Sequence, residues 1–271
     1  MAIPLADDER RRFRSVAPHY VIGRPAYAPR LLERVAAAVG LGRGDAVLDL
    51  GCGPGQLARG FAAMAGQVVG MDPEPEMLRV AAALSEEVPN LTWATGGSDD
   101  VGPGAGRFRL VVMGRSFHWM DRADTLRRLD GIVVPGGAVA LFQTSHPETP
   151  DNGWVADYSA LRRGYGSGDA DRHRQPGWVR HEALLLDSAF RRLDVHAVIE
   201  RRTVTEDALV LRALSMSSSS PDRLGEQRAA LERDVRSFFR DRAAAGVLTE
   251  VIESQALIGR PPTCRPPICR P

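Results

Sequence analysis

The run Val47-Leu48-Asp49-Leu50-Gly51-Cys52-Gly53-Pro54-Gly55 constrains this chain more than any other: an apolar strand carrying a carboxylate leads straight into a turn with three glycines. Ala46 to Leu50 has the short apolar character of a strand that a parallel sheet buries on both faces. Gly51, Gly53 and Gly55 have no Cβ atoms, so the backbone bends sharply there and a ligand is able to lie against it. Gln56 to Met64 is predicted as the helix that follows, with Leu57, Phe61 and Met64 on one face.

A dinucleotide fingerprint would read G-x-G-x-x-G, without an acid on the strand just ahead of the first glycine. Here the spacing is G-x-G-x-G and Asp49 stands two residues before the turn. That carboxylate would repel a pyrophosphate, yet it suits a ligand bearing an ammonium and a sulfonium, which favours S-adenosylmethionine over NAD. Gln67 to Asp72 reads as a second strand ending in a carboxylate about 20 residues after the turn, the place of a ribose-binding group. The same Asp72 is equally suited by type to cap the helix that begins near Pro73 to Glu76.

The rest of the chain alternates strand and helix, as a doubly wound parallel sheet requires. A helix is predicted from Pro29 to Gly40 with Leu31, Leu32, Val35 and Val39 buried. Another carries Met77, Leu78, Ala81 and Leu84, and a third buries Leu126, Leu129 and Val133. Strands are predicted at Leu91 to Thr95, around Leu110 to Met113, and at Ala138 to Gln143. Residues 144–181 then hold Pro147, Pro150, Gly153, Gly164, Gly166, Gly168 and Pro176, an irregular stretch of the kind that forms a lid or substrate loop. Beyond it, helix is expected over Glu182 to Phe190, strand over Arg192 to Glu200 and helix over Thr205 to Met216. Asp222 is then expected to cap one helix reaching about Arg242, before a last strand from Leu248 to Ile258.

With these features in view, the chain resembles the class I S-adenosylmethionine-dependent methyltransferases, in particular small-molecule enzymes related to trans-aconitate methyltransferase. Tyr20-Val21-Ile22-Gly23-Arg24-Pro25-Ala26-Tyr27 is similar to their Y-x-x-x-R-P-x-Y element. Phe108 to Met113 with Ser116-Phe117-His118-Trp119-Met120-Asp121 is similar to their fourth strand and its aromatic exit, and Val134-Pro135-Gly136-Gly137 to the turn before their fifth. Arg109 departs from the aspartate usual after Phe108, at the edge of the sheet away from the pocket. The resemblance implies an α/β, doubly wound, Rossmann-like sheet of seven strands, mostly parallel with an antiparallel last strand, and a helical or loop lid over the acceptor site. It also implies a linear organisation: an arm and helix at 1–40 closing the cofactor site, a cofactor-binding core at 41–145, and a lid and completion of the sheet at 146–258; composition adds a Pro-rich disordered tail at 259–271, which has no counterpart in the family.

The resemblance further implies the site. Gly51, Cys52, Gly53 and Gly55 form the cofactor loop, Asp49 lies near the methionine ammonium, and Asp72 with Pro73 and Met77 lies at the ribose. Asp99 or Asp100 accepts from the adenine amino group, each equally suited to being a turn residue. Met113, Gly114 and Arg115 line the end of the fourth strand beside the sulfonium. Tyr20 and Arg24 close over the amino-acid end, Arg24 being able to meet a carboxylate bidentately, unless the arm merely packs for stability. His118 is the leading candidate for a general base, with the shaping of the pocket as its alternative role, and His146 is second. Phe117, His118, Trp119, His146, Trp154 and Tyr158 are expected around the acceptor, or in core and lid packing.

Composition restricts the partners: 44% of the 271 residues are apolar and the formal charge is +1, so nothing attracts nucleic acid. No apolar run is long enough to span a bilayer and no signal-peptide core is present, which leads to the expectation of a cytoplasmic enzyme. Three cysteines make no disulfide framework, and Cys264 with Cys269 in the tail makes a poor zinc site, so no metal is expected. The expected partner is a small-molecule acceptor, plausible as a natural product, methylated on oxygen or nitrogen; oligomeric state does not follow. Two rivals stay open: a non-catalytic S-adenosylmethionine-binding module and an NAD(P)-dependent oxidoreductase.

Overall fold

The computed structural model describes residues 17–166 and 177–262. The tail cysteines Cys264 and Cys269, and residues 167–176 of the insertion, lie outside these. The chain begins with α1 (Ala17–Gly23), α2 (Pro29–Val39), β1 (Ala46–Leu50), α3 (Gln56–Ala62), β2 (Gln67–Asp72), α4 (Pro75–Ala83) and β3 (Leu91–Thr95). It continues through β4 (Phe108–Gly114), α5 (Arg122–Asp130), β5 (Val133–Ser145), α6 (Val155–Tyr165), α7 (His181–Leu186) and β6 (Arg192–Val204). The last elements are α8 (Glu206–Leu214), α9 (Pro221–Leu224), α10 (Arg228–Arg242) and β7 (Leu248–Arg260). Seven strands form one sheet in the order β3-β2-β1-β4-β5-β7-β6, mostly parallel with antiparallel last strands, as expected.

β1 pairs in parallel with β2 and β4, with Asp49 opposite Gly70 on one side and Val112 on the other. The turn leaving the carboxyl end of β1 is therefore flanked by the ends of two neighbours, the edge at which such sheets bind ligands. Two compact units make up the chain. One comprises Tyr27–Gln143, Val179–Ala197 and Gln255–Pro271, the other Met1–Ala26, Thr144–Trp178 and Val198–Ser254. These units are interleaved along the chain, and α2 falls in the same unit as the glycine turn.

In the first unit Leu48, Leu50, Val111, Met113, Leu126, Leu129, Ile132 and Val139 share one buried cluster. Both faces of β1 and β4 are covered, which is why these strands read as continuous apolar runs. α2 starts with Pro29 and ends at Gly40, whose φ of +61° is the left-handed cap that glycine adopts most readily. Arg109 Nε donates to the Val39 carbonyl (2.8 Å), so the residue that departs from the family pattern holds the last turn of α2. Trp93 on β3 lies where side chains at Gly55 and Gly70 would be: a Cβ at either position would come within 2.3 Å and 2.2 Å of its ring.

Several boundaries differ from expectation for local reasons. α3 stops at Ala62, leaving Met64 half-buried, and Leu84 is the exposed C-cap of α4. Val133 is buried as the first residue of β5 rather than on α5. The Val134–Gly137 turn is taken into β5 as an irregularity, with Gly136 at φ +76° and a register shift against β4 between Phe108 and Leu110. β7 runs on through Gly259 and Arg260, residues expected in the tail.

In the second unit the insertion holds an 11-residue helix, α6. Its Trp154 and Tyr158 enter a core with Leu209, Val210, Leu231, Val235 and Phe238. The helix expected from Asp222 is broken at Gly225, where φ is +51°, so α9 and α10 are separate. α7, which belongs to the first unit, ends at Leu186, four residues before Phe190.

Gly70→Ala is expected to lower stability by about 1–3 kcal/mol, because the methyl overpacks the Trp93 ring between two strands. A urea titration checks this, as a lower midpoint at unchanged slope.

Candidate functional site

The glycine turn hangs from the end of β2. The Met71 carbonyl accepts from both Gly51 N–H (2.8 Å) and Cys52 N–H (3.0 Å), and Asp72 Oδ2 accepts from Gly53 N–H (2.8 Å). Asp72 Oδ1 accepts from Glu74 N–H (2.9 Å), and Glu74 rather than Asp72 is the N-cap of α4. Asp72 thus joins the second strand to the turn instead of capping a helix. Each of its oxygens retains acceptor capacity, as a ribose diol requires. Pro73 beside it is exposed and Met77 is buried in α4.

Gly51, Gly53 and Gly55 all have positive φ, of +69°, +53° and +75°. A Cβ on Gly51 would strike Ser116 at 2.6 Å, and one on Gly55 would strike Trp93, whereas Gly53 faces open space. Two of the three glycines are therefore needed by the fold, and the third leaves bare backbone for a ligand. Ser116 is held in place by its own bond to the Leu50 carbonyl (2.8 Å). Cys52 is buried and its thiol pKa is pushed up by that burial, so it acts as a small apolar residue.

Asp49 is 1% exposed. One of its oxygens accepts from Ala58 N–H (2.9 Å), and the other, Oδ1, is buried with no partner among the described residues. Burial raises its pKa to about 7, against the Ala58 bond that lowers it and with the Asp72 charge that raises it further. Asp72 is likewise raised by burial to about 6, its two backbone hydrogen bonds opposing. Folded values above the unfolded one mean that both acids favour the native ligand-free protein at low pH, and that this contribution is lost as pH rises from about 4 to about 7. A ligand ammonium beside Asp49 reverses the balance by favouring the charged form.

The other expected residues are placed unequally. Met113 is buried, and a Cβ on Gly114 would meet Leu57 at 2.8 Å and Tyr27 Oη at 3.1 Å. Arg115, at φ +56°, stacks its guanidinium 4.7 Å from the Tyr27 ring centroid and donates to Gln56 Oε1 (2.7 Å). Asp100 closes its own turn by accepting from Gly97 N–H (2.8 Å), and the Asp99 carbonyl accepts from Arg128 (2.8 Å). Phe117 is buried against His181, and His118 lies on the Trp119 ring with centroids 4.9 Å apart.

In the second unit Arg24 lies over the Tyr20 ring and donates to the Ser215 carbonyl (3.3 Å). Trp154 Nε1 donates to the Thr249 carbonyl and Tyr158 Oη to that of Leu209, so both aromatics have core roles there. His146 Nε2 is 3.0 Å from Glu250 Oε2, and Arg212 grips both Glu250 oxygens at 2.7 and 2.9 Å. Burial raises the Glu250 pKa, but bonds from His146 and Arg212 outweigh it and hold the carboxyl at about 2. Sequence reasoning missed Glu250, Arg212, Gln56, Ser116 and Trp93. Each depends on a contact between segments distant in sequence, Trp93 on Gly55 and Gly70 among them.

The profile of a methyltransferase domain matches residues 47–137, the span from β1 into β5. This segment is similar to methyltransferase domains. An uncharacterized methyltransferase of Mycobacterium tuberculosis is 28% identical over 149 residues, 55% of this chain and 58% of its own length. Trans-aconitate 2-methyltransferase of the same species is 30% identical over 141 residues, 51% of this chain and 52% of its own. The chain spans little more than half the length of the curated relatives it matches. Among solved structures, a Thiobacillus denitrificans S-adenosylmethionine-dependent methyltransferase in complex with S-adenosyl-L-homocysteine aligns over 97% of this chain and 100% of its own. Its TM-score is 0.53 at 18% identity. The [4+2]-cyclase SpnF aligns over 94% of this chain and 96% of its own, with a TM-score of 0.55 at 16% identity. At such identities the likeness is one of fold.

The residues present fit S-adenosylmethionine: a buried carboxylate oxygen lacks a cation, a second carboxylate ends β2, and bare backbone at Gly53 lies between. Gly53→Ala is expected to weaken S-adenosylhomocysteine binding at least tenfold with a Tm loss of only a few degrees, since the left-handed φ costs about 1–2 kcal/mol. Gly55→Ala is expected to lower Tm more steeply, through Trp93. Affinity for S-adenosylhomocysteine is expected to fall below pH 7, by up to about tenfold per unit, as Asp49 takes up its proton. Calorimetry in two buffers of different ionisation enthalpy reads the proton released. Asp49→Asn is expected to abolish that release and to raise the Tm of the ligand-free protein at pH 8.

Proposed function

We propose that this chain transfers the methyl group of S-adenosylmethionine, by direct in-line displacement, to an oxygen or nitrogen of a small-molecule acceptor, with natural products as the acceptor class. Asp49 carries the reading: a carboxylate 1% exposed, one oxygen unpartnered, is costly to a ligand-free fold and suited to an ammonium. S-adenosylmethionine, when bound, supplies a methyl already activated on a sulfonium. The chain's own residues then have three tasks: to bind, to orient and to exclude water. Asp49 would hold the ammonium, Asp72 the ribose hydroxyls and Asp99 the adenine amino group. The acceptor lone pair needs placing in line at about 3 to 3.5 Å, and no nucleophilic side chain takes part.

A hydroxyl acceptor loses its proton on transfer, and His118, just beyond β4 in the same compact unit as the glycine turn, is the group we assign to accept it. A second reading is favoured by the Glu250 contact. There His146 Nε2 is held 3.0 Å from Glu250 Oε2, which fixes the orientation of the ring.

Calorimetric titration with S-adenosylhomocysteine, followed by turnover on a panel of hydroxyl and amine acceptors, tests the function. Binding and turnover are expected. Binding without turnover on any acceptor would make the chain a binding module, and stabilisation by NAD(P) instead would overturn the reading altogether. Once an acceptor is known, His118→Gln is expected to lower kcat by about 10²–10⁴ while His146→Gln chiefly moves KM. The reverse pattern would pass the proton to His146.

A further inference from the structure

β6 closes the sheet order, with β7 as its neighbour on one side and no strand among the described residues on the other. At 13 residues it is long for an edge, where natural sheets keep strands short, charged or bulged. Its outer face is also unusual. From His196 to Val204 the even-numbered residues are half-buried or buried, so the odd-numbered side chains face outward. That outward row begins with Val195 (58% exposed), Ala197 and Ile199 (62% exposed), apolar where the alternation of a half-buried strand calls for polar residues. At the centre of the row the Ala197 carbonyl accepts from Arg34 Nη1 (2.7 Å), an exposed side chain that a strand N–H is able to replace.

The charges along β6 select what fits this edge. A two-fold axis perpendicular to the sheet pairs the strand antiparallel with β6 of a second copy and keeps outer face beside outer face, so the axis passes through a residue. Through Val198 it sets Asp194 opposite Arg202 of the second copy and His196 opposite Glu200 of the second copy, and each pair occurs twice. Asp194 is already paired with Arg260, and Arg202 with Glu200 (2.5 Å), so the contact joins them in a chain of alternating sign. On the outer face the same axis sets Ala197 opposite Ile199 of the second copy. Val195, Ala197 and Ile199 of both copies then form one apolar band, closed at each end by the stem of Arg201. An axis one residue away, through Ala197, sets Asp194 opposite Glu200 and Arg192 opposite Arg202, like charges in both pairs. An axis through His196 sets that histidine against itself and Arg191 against Arg201.

We infer that β6 is a self-association edge and that a second copy of this chain is its partner, paired antiparallel about Val198. The inference stands apart from the methyltransferase reading, since it draws only on the strand at the far edge of the sheet from the glycine turn.

Sedimentation velocity of the full chain from about 1 to 200 µM reads the association, and a dimer fraction that rises across this range is expected. Ile199→Lys puts a charge into the apolar band next to its own copy. It is expected to weaken dimerisation at least about tenfold with Tm unchanged, because the site is exposed in the single chain. Val198→Cys and Val195→Cys, each made with Cys264→Ser and Cys269→Ser and then oxidised, read the register. Opposite one another across the axis, the Cα atoms at 198 lie about 4.5–5.5 Å apart, within reach of a disulfide, whereas those at 195 lie about 20 Å apart. A linked dimer is therefore expected at 198 and not at 195. A monomer at every concentration, a dimer that Ile199→Lys leaves as tight, or a dimer that links at 195 or fails to link at 198 would each overturn the inference.

Discussion

The glycine turn has its shape because β2 takes up three consecutive N–H groups, those of Gly51, Cys52 and Gly53. One carbonyl and one carboxylate at the end of a neighbouring strand thus replace the ladder that β1 would otherwise continue. Everything chemical in the first unit follows from this diversion. It ends the strand, sends the chain into α3 and directs the Asp72 carboxylate at the turn. It also places the Asp72 carboxylate where burial raises its pKa against two backbone hydrogen bonds, on the strand next to the one that carries the raised acid Asp49.

Such an arrangement is poor for a ligand-free protein and good for a bound one. Native sequences satisfy buried polar groups almost without exception, and Asp49 Oδ1 is an exception placed at the sheet edge that this architecture uses for ligands. The cost falls on stability and the return is affinity for a cation. Glu250 in the second unit shows the opposite solution, a buried carboxylate gripped by Arg212 and held well below the usual range.

Much of the first unit was legible in the sequence because its signals are local. The apolar run at β1, the three glycines and the acid closing β2 each act over a few residues, and they place Asp49, Asp72 and the turn where the structure has them. α2 was legible for the same reason, Pro29 and Gly40 marking its ends. Contacts between distant segments left no such mark. Nothing near Glu250 in sequence points to His146 or Arg212, since their meeting depends on how β7 and α8 pack. The role of Trp93 likewise depends on two glycines 38 and 23 residues earlier, a matter of sheet register and not of periodicity. The insertion misled because prolines and glycines at its ends hide the helical segment Val155–Tyr165 between them.

The indole at 93 ties positions 55, 70 and 93 into one unit of inheritance. A lineage that enlarges either small residue while the ring remains passes through an overpacked intermediate, whereas one that first loses the ring leaves a void beneath the glycine turn. Drift at these sites is therefore coupled, and homologues should fall into a few joint states of the three positions rather than vary freely at each.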